Sequence, residues 1–369
     1  MIVYVLAAAT SAVLAYALGI RRAGSVSRHQ VRTYLPLIPY LLVTVLRQDV
    51  GRDTAGEWGR YPLTFLQAQE GVPYPDAWAQ YHVEPLYYFL NVVGVRLGLD
   101  LHTIIAITGI IFLVFIYCFI IDQSERIPLS LLLLVVSNYF LFSLTGIRQA
   151  AATGIVFYAL KYAKSRRPIP YFALVTVACG FHLSALLFAP LYFAVHVKIG
   201  RKTIAGLAIC VVALLASPSI VRGLMSLFYS GYIGSKYDYT NASIIPFVIC
   251  LLLVAVAYFV RDSAEKRSPY FRIHFNITVL NAAIMSLTSI IITGDRFYLL
   301  LLPAALIVVP SIVESVRVRE PLLVPIVGVA LSFVLFAYMG NELVQGNDTF
   351  GVWAYSSVFD KNDHAMSFN

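Results

Sequence analysis

The sequence predicts an all-α polytopic membrane protein, with about 12 transmembrane helices and a short interfacial helix. The first observation is composition: 59% of the 369 residues are hydrophobic and only 12% are charged, too apolar a balance for a soluble domain. The second is length, because runs such as Ile104–Ile121 and Leu322–Met339 approach or reach what a bilayer requires. These runs do not alternate apolar and polar residues, so a helical fold is favoured over a barrel.

We expect residues 1–369 to form a single integral membrane domain. The predicted spans are residues 2–20, 33–46, 101–121, 128–145, 149–163, 168–179, 181–198, 203–217, 244–260, 271–293, 296–313 and 321–339. The first run is followed by the basic stretch "RRAGSVSR", whereas a cleavable signal peptide has its charges first. We therefore expect the first helix to be retained.

Basic residues set the predicted orientation. Most of the 27 Lys and Arg lie in six short segments: "RRAGSVSRHQVR", "DQSER", "KYAKSRRP", "KIGRK", "RDSAEKRSPYFR" and "ESVRVRE". The positive-inside rule places these loops in the cytoplasm and both termini outside. The outer side then holds loops 47–100 and 218–243 and the tail 340–369. This arrangement requires that Glu84–Asp100 does not cross the membrane, so we interpret it as an interfacial helix.

The net charge of +8 does not indicate nucleic-acid binding, because the basic residues are scattered over short loops between apolar runs. The four cysteines fall inside apolar stretches without metal-ligand spacing. We therefore predict neither a nucleic-acid partner nor a metal site.

Polar residues that are unusual at membrane depth gather at the outer boundary under this topology. They include Arg148 in "GIRQ", His182 in "GFHLS", Arg296 in "GDRF" and Glu84 in "HVEP". Such residues are expensive in a bilayer and therefore indicate function. Guanidinium groups bind phosphate oxygens, and a carboxylate or histidine can act as a general base.

Each of these residues also has a structural explanation. A single interfacial arginine such as Arg148 can equally extend to lipid head groups. A single His182 is more often a satisfied buried histidine, and Glu84 before Pro85 can cap a helix. Arg47 is interpreted as an ordinary interface charge. The convergence of arginines, acids and a histidine on one side of the membrane favours function.

Several short motifs resemble a known family. The segments "VGRDT", "EPLYYFLN", "GIRQAAATGI", "FHLSALLFAPLYF", "DRFYLLLLP" and "YSSVF" occur in the same order as in the EpsG-type, Wzy-like polysaccharide polymerases. These are bacterial inner-membrane glycosyltransferases of capsule, exopolysaccharide and O-antigen synthesis. The resemblance extends from about Arg47 to Phe359.

The resemblance implies an architecture similar to the GT-C membrane glycosyltransferases and a site on the outer, periplasmic face of the bacterial cytoplasmic membrane. The implied substrate is an undecaprenyl-diphosphate-linked oligosaccharide, whose glycan passes to a sugar hydroxyl of the next unit. It implies no metal and no cofactor, because the donor carries its own diphosphate leaving group. A chain-length-determining co-polymerase is the implied protein partner.

These considerations assign roles to nine residues. The candidate bases are His182, Glu84 and Asp53; the lipid-diphosphate ligands are Arg148, Arg296 and Arg52; the sugar ligands are Gln149, Tyr87 and Tyr355. His182 is preferred as the base because an imidazole titrates near working pH. Arg52 departs from the small residue that is usual before the Asp in this family.

Three alternative functions are considered. An O-antigen ligase-like enzyme uses the same donor but transfers the glycan to a lipid A core. No residue in the sequence distinguishes this acceptor from the next lipid-linked unit. A transporter or flippase of lipid-linked sugars would place polar residues through the midplane, whereas here they lie at one interface. A membrane acyltransferase would need polar catalytic residues on the cytoplasmic side, which is basic and poor in candidates.

Overall fold

A computed structural model describes residues 1–25, 27–56, 59–229, 244–290, 294–319 and 348–360. All regular elements in these ranges are helical. The α-helices are α1 (Ile2–Ala17), α2 (Ile38–Leu46), α3 (Arg60–Gln69), α4 (Tyr74–Tyr81), α5 (Pro85–Arg96), α6 (Leu101–Gln123), α7 (Ile127–Val136), α8 (Tyr139–Ser143), α9 (Ile147–Lys164), α10 (Pro168–Phe181), α11 (Leu191–Ala194), α12 (Arg201–Leu215), α13 (Pro218–Tyr229), α14 (Ile244–Arg267), α15 (Phe271–Ser286), α16 (Gly294–Leu301) and α17 (Ala305–Arg319). Short 3₁₀ helices cover Val31–Leu37, Leu183–Phe188 and Leu302–Ala304.

Three helical stretches in the described part are long and apolar enough to cross a membrane: Leu101–Gln123, Phe247–Arg267 and Arg296–Arg317. Shorter apolar helices accompany them at Ile2–Ala17, Val31–Leu46, Ile127–Val136, Pro168–Phe181 and Leu183–Ala194. The all-helical membrane class is thus confirmed. The number of about 12 crossings and the GT-C-like architecture stay predictions, and the predicted span 321–339 lies outside the described residues.

Two of the predicted spans are broken helices. The apolar run 128–145 is divided into α7 and α8, because Asn138 has a φ of 63° and leaves the right-handed helical region. The run 181–198 contains the 3₁₀ helix Leu183–Phe188 and the single turn of α11. His182 lies at the joint before that 3₁₀ helix, with extended backbone.

The loop 47–100 is predicted to lie on the outer side and is hereafter called the outer loop. Its described residues fold into three short helices, α3, α4 and α5. Pro85 occupies the first turn of α5, where its missing N–H costs nothing. Helix α5 has 12 residues, and the interfacial position of this segment stays a prediction.

Helix α9 runs through the centre of the protein, between α6 and α10. Its small residues allow this: Ala150, Ala151 and Ala152 are fully buried, and a Cβ on Gly154 would come within 3.1 Å of the Phe112 carbonyl oxygen of α6. On α10, a Cβ on Gly180 would come within 2.8 Å of Leu86 Cβ of α5. This packing brings the start of α9 and the end of α10 to the start of α5.

The described end of the chain, residues 348–360 and hereafter the C-terminal segment, lies against the start of α1. The N-terminal ammonium group donates to the carbonyl of Trp353 at 3.0 Å, and the Tyr4 hydroxyl donates to the carbonyl of Val352 at 2.7 Å. An isolated antiparallel bridge joins Arg47 and Ser357. These contacts place the first residues and the C-terminal segment on the same side of the protein.

Candidate active site

Glu84 is the centre of a buried polar cluster. Its Oε2 accepts a hydrogen bond from Nη1 of Arg148, the second residue of α9. Its Oε1 lies 2.7 Å from Nδ1 of His182 and 3.1 Å from the backbone nitrogen of Leu183. Three segments distant in sequence, namely the start of α5, the start of α9 and the end of α10, therefore meet at one carboxylate. Glu84, Arg148 and His182 are hereafter called the Glu84 cluster.

Burial and charge keep this carboxylate ionised. The side chains of Glu84 and Arg148 are each 6% exposed, and that of His182 is 21% exposed. Burial alone raises the pKa of the Glu84 carboxyl, but the charges of Arg148 and His182 and the hydrogen bonds from His182 and Leu183 lower it to about 2. Glu84 is therefore an acceptor only at neutral pH.

The hydrogen bond to Glu84 fixes the tautomer of His182. A carboxylate can only accept, so Nδ1 of His182 carries a proton. The lone pair of a neutral imidazole then lies on Nε2, which forms no hydrogen bond in the described part of the chain. This pairing of a carboxylate with an imidazole orients the free nitrogen, which is chemically able to accept a proton.

Two tyrosine rings flank the guanidinium of Arg148. Its Cζ lies 5.7 Å from the ring centroid of Tyr61 on α3 and 5.6 Å from that of Tyr87 on α5. The two rings meet edge to face, with centroids 5.7 Å apart. Arg148 Nε is buried and has no hydrogen-bond partner in the described part. The arginine is thus held by one carboxylate, by the Tyr61 hydroxyl and by contacts with two tyrosine rings, and its Nε keeps an unused donor.

The outer loop packs on the turn that precedes α9. Nη1 of Arg47 donates to the carbonyl of Leu144, and the backbone nitrogen of Asp53 donates to Oγ1 of Thr145 at 3.2 Å. Gly51 has a φ of 107° and lies against the same Leu144 carbonyl, where a Cβ would collide. These contacts position the turn 144–146, and through it Arg148.

Gln149, Tyr87 and Arg296 lie beside the Glu84 cluster. The amide nitrogen of Gln149 donates to the backbone carbonyl of Arg296 at 2.9 Å, which joins α9 to α16. Arg296 is half-buried. Tyr87 is fully buried against Arg148.

Arg52, Asp53 and Tyr355 belong to a second group, between the outer loop and the C-terminal segment. Arg52 is exposed and its Nη2 donates to the carbonyl of Asp348 at 3.3 Å. Asp53 is half-buried. The Tyr355 hydroxyl donates to the carbonyl of Val43 at 3.1 Å, and its ring packs on Tyr4. No contact in the described part joins these three side chains directly to Glu84.

Sequence reasoning missed Tyr61 and Arg47. Tyr61 had no assigned role, yet its ring contacts Arg148. Arg47 was interpreted as an ordinary interface charge, yet it is only 3% exposed and its Nε and Nη2 have no hydrogen-bond partner in the described residues. No signal along the chain distinguishes Arg47 from a surface arginine, because its burial results from the folding of the loop over it.

In the described residues, no group of three or more His, Cys, Asp or Glu side chains is arranged to hold a metal ion. The EpsG family model matches residues 33–357. This chain belongs to the EpsG family. The family is one of Wzy-like polysaccharide polymerases, so the resemblance inferred from the motifs is confirmed. No curated protein and no solved structure is significantly similar to the chain.

The match to the EpsG family includes the whole Glu84 cluster, together with Tyr61, Tyr87 and Gln149. It also includes Arg47, the turn 144–146 and most of the C-terminal segment. As a member of a polysaccharide polymerase family, this EpsG-family protein has a lipid-linked sugar as its implied substrate.

Proposed function

We propose that this EpsG-family protein polymerises undecaprenyl-diphosphate-linked oligosaccharide repeat units by glycosyl transfer without a metal ion, on the periplasmic face of the bacterial cytoplasmic membrane. The observation that carries the proposal is the Glu84 cluster, in which an oriented histidine and a buried arginine share one carboxylate. This arrangement offers a base and an anion ligand within one site.

His182 acts as the general base in this mechanism. The free Nε2 takes the proton from an acceptor sugar hydroxyl, whose oxygen attacks the anomeric carbon of the donor. Glu84 keeps Nδ1 protonated and stabilises the imidazolium that forms. A positioned base of this kind contributes about 10²–10⁴-fold to rate. Glu84 is ionised and occupied by three donors, so it orients His182 rather than acting as the base itself.

Arg148 stabilises the leaving group. The bond from the anomeric carbon to the diphosphate oxygen breaks as the acceptor bond forms, and negative charge develops on the lipid diphosphate. The unpartnered Nε of Arg148 donates to that oxygen in a buried setting, where electrostatic interactions are strong. Arg296 of α16 also stabilises the leaving group. The hydrogen bond from the Gln149 amide to the Arg296 carbonyl joins α16 to α9. The proton gained by His182 then passes to solvent.

The other residues have supporting roles. Tyr87 and Gln149 orient sugar hydroxyls beside Arg148. Arg52, Asp53 and Tyr355 form the rim between outer loop and C-terminal segment, with Arg52 as a further phosphate contact and Asp53 as a second base candidate. A co-polymerase that sets chain length is the proposed protein partner.

Reconstitution tests this function. Purified protein in proteoliposomes receives its cognate lipid-linked repeat unit, and products are resolved by size for wild type, Arg148→Ala and His182→Ala. We expect a ladder from wild type that collapses to the unextended unit in both variants. An intact unit moved across the vesicle without a ladder would indicate a transporter instead. Transfer of a single block to a lipid A core acceptor, again without a ladder, would indicate a ligase.

A further inference from the structure

A groove of about 560 Å³ opens beside the Glu84 cluster. One wall is formed by Tyr74 and Trp78 of α4, and the other by Thr176 and Cys179 of α10. Glu84 lies in the lining, and Leu183 borders it next to His182. The size is typical of a site for a small ligand or part of a larger one. The groove leads from the outer surface of α4 and α10 to the carboxylate that holds Arg148 and His182.

The lining of the groove is mainly apolar. Among the described residues that line it, Glu84 is the only charged one, and the rest present mainly rings, aliphatic groups and a thiol. The Thr176 hydroxyl already donates to the carbonyl of Phe172 at 3.0 Å. Three donors already occupy the Glu84 carboxylate. A sugar ring carries several hydroxyls, each of which loses free energy when buried without a partner. An apolar chain has no such requirement, so the lining favours a hydrocarbon ligand.

Exposed apolar side chains lie along the 3₁₀ helix that begins at the groove. Leu183, Leu186 and Leu187 on this helix are 50%, 51% and 45% exposed. Helix α10 is one of the shorter apolar helices of this membrane protein. Exposed apolar side chains of this kind are stable when lipid covers them. The groove is therefore open to a chain that arrives laterally within the bilayer.

We propose that this groove binds the polyisoprenoid chain of the lipid carrier, at the end next to the phosphates. The choice of an isoprenoid lipid rests on the proposed function. With the chain in the groove, the diphosphate lies at the Glu84 cluster, within reach of Arg148 and His182. Holding the isoprenoid chain on one side of Glu84 fixes the position of the anomeric carbon. Positioning the reacting groups in this way contributes to the rate through proximity.

The native cysteines supply a first test. Cys179 lines the groove, whereas Cys210 is exposed on α12 and does not line it. Two variants each keep one of these cysteines, with the other three changed to Ser, and both are labelled in nanodiscs with a membrane-permeable maleimide. We expect added undecaprenyl phosphate to slow labelling of Cys179 at least fivefold relative to Cys210. An equal mole fraction of phosphatidylglycerol should leave both labelling rates unchanged.

Protection of Cys179 by phosphatidylglycerol to the same extent would overturn the proposal, since the groove would then hold any lipid. Equal rates for Cys179 with and without undecaprenyl phosphate would also overturn it. So would protection by the free oligosaccharide alone, which would make the groove a sugar subsite.

A blocked groove gives a second test that does not depend on thiol reactivity. Thr176 and Val177 are adjacent and exposed on α10, but only Thr176 lines the groove. We expect Thr176→Trp to weaken undecaprenyl phosphate binding at least tenfold, measured by native mass spectrometry, and Val177→Trp to bind as wild type does. Wild-type affinity in Thr176→Trp would contradict the proposal.

Both tests measure binding rather than polymerisation, so the two proposals fail in different ways. A polymer ladder from a protein whose groove binds no isoprenoid would refute the groove and leave the function intact. Isoprenoid binding in a protein that makes no ladder would support the groove and refute the polymerase function.

Discussion

Glu84 and Arg148, 64 residues apart in the chain, form a buried ion pair at the meeting point of α5 and α9. The pair is the hub of the candidate site, because Glu84 also holds His182 and Arg148 also contacts Tyr61 and Tyr87. A buried pair of this kind is costly to form and is weak evidence for stability. Its retention at the boundary of a membrane protein is better explained by function.

Glu84→Gln should destabilise the protein. The amide cannot neutralise Arg148, so a buried guanidinium is left without its counter-charge, at a cost of about 3–5 kcal/mol. Thermal unfolding in detergent checks this, with Glu70→Gln at an exposed position as the matched control. An unfolding temperature of Glu84→Gln equal to that of the control would show that the pair is not maintained in the folded protein.

The stability of the protein should depend on pH through the same carboxyl. The pKa of Glu84 is lowered in the folded state to about 2, against an ordinary value near 4.5. The stabilisation from this group is therefore fully present above about pH 4.5 and is lost as the pH falls towards 2. Unfolding measured from pH 7 to pH 3 should show a steeper loss for wild type than for Glu84→Gln. Parallel curves would mean that the carboxyl titrates normally.

Arg148→Lys should fold but lose most of its activity. A lysine keeps the charge opposite Glu84. It lacks the planar guanidinium that contacts Tyr61 and Tyr87 and whose Nε has no hydrogen-bond partner in the described residues. We expect transfer to fall by about 10²–10³-fold, the usual effect of removing one positioned donor. Arg60→Lys, at the start of α3, is the control. Comparable rates for Arg148→Lys and wild type would rule out a specific role for the guanidinium.

Gly51→Ala should destabilise the outer loop more than Gly56→Ala. Both glycines have positive φ, 107° and 74°, so each substitution strains the backbone by about 1–3 kcal/mol. Only at Gly51 would the new Cβ collide with the Leu144 carbonyl and lie 2.6 Å from Thr54 Oγ1, whereas nothing lies within 4 Å at Gly56. Limited proteolysis of the loop checks this. Equal cleavage of the two variants would show that the loop is not held on the turn 144–146.

Much of the fold could be predicted from the sequence, because it depends on local properties of the chain. Apolar composition and run length gave the membrane class, and α6 and α9 were expected near their observed bounds. The positions of the breaks were not predicted. Asn138 lies in a continuous apolar run, and its left-handed backbone is set by packing rather than by the run itself.

The candidate site was predicted as a set of residues but not as a geometry. Arg148, Glu84 and His182 were each proposed, yet no pattern along the chain indicates that Glu84 joins the other two. Arg52 was preferred over Arg47, but the folded loop exposes Arg52 and buries Arg47. Contacts of this kind depend on how distant segments pack, which a single sequence does not encode in its periodicity.

The proposed mechanism requires that His182, oriented by Glu84, take the proton from the acceptor hydroxyl. Single-turnover transfer from a lipid-linked repeat unit, measured for His182→Ala with and without added imidazole, tests it most directly. We expect a loss of about 10²–10⁴-fold, partial recovery with imidazole, and no recovery with imidazole in Arg148→Ala. A wild-type rate in His182→Ala without imidazole would contradict it.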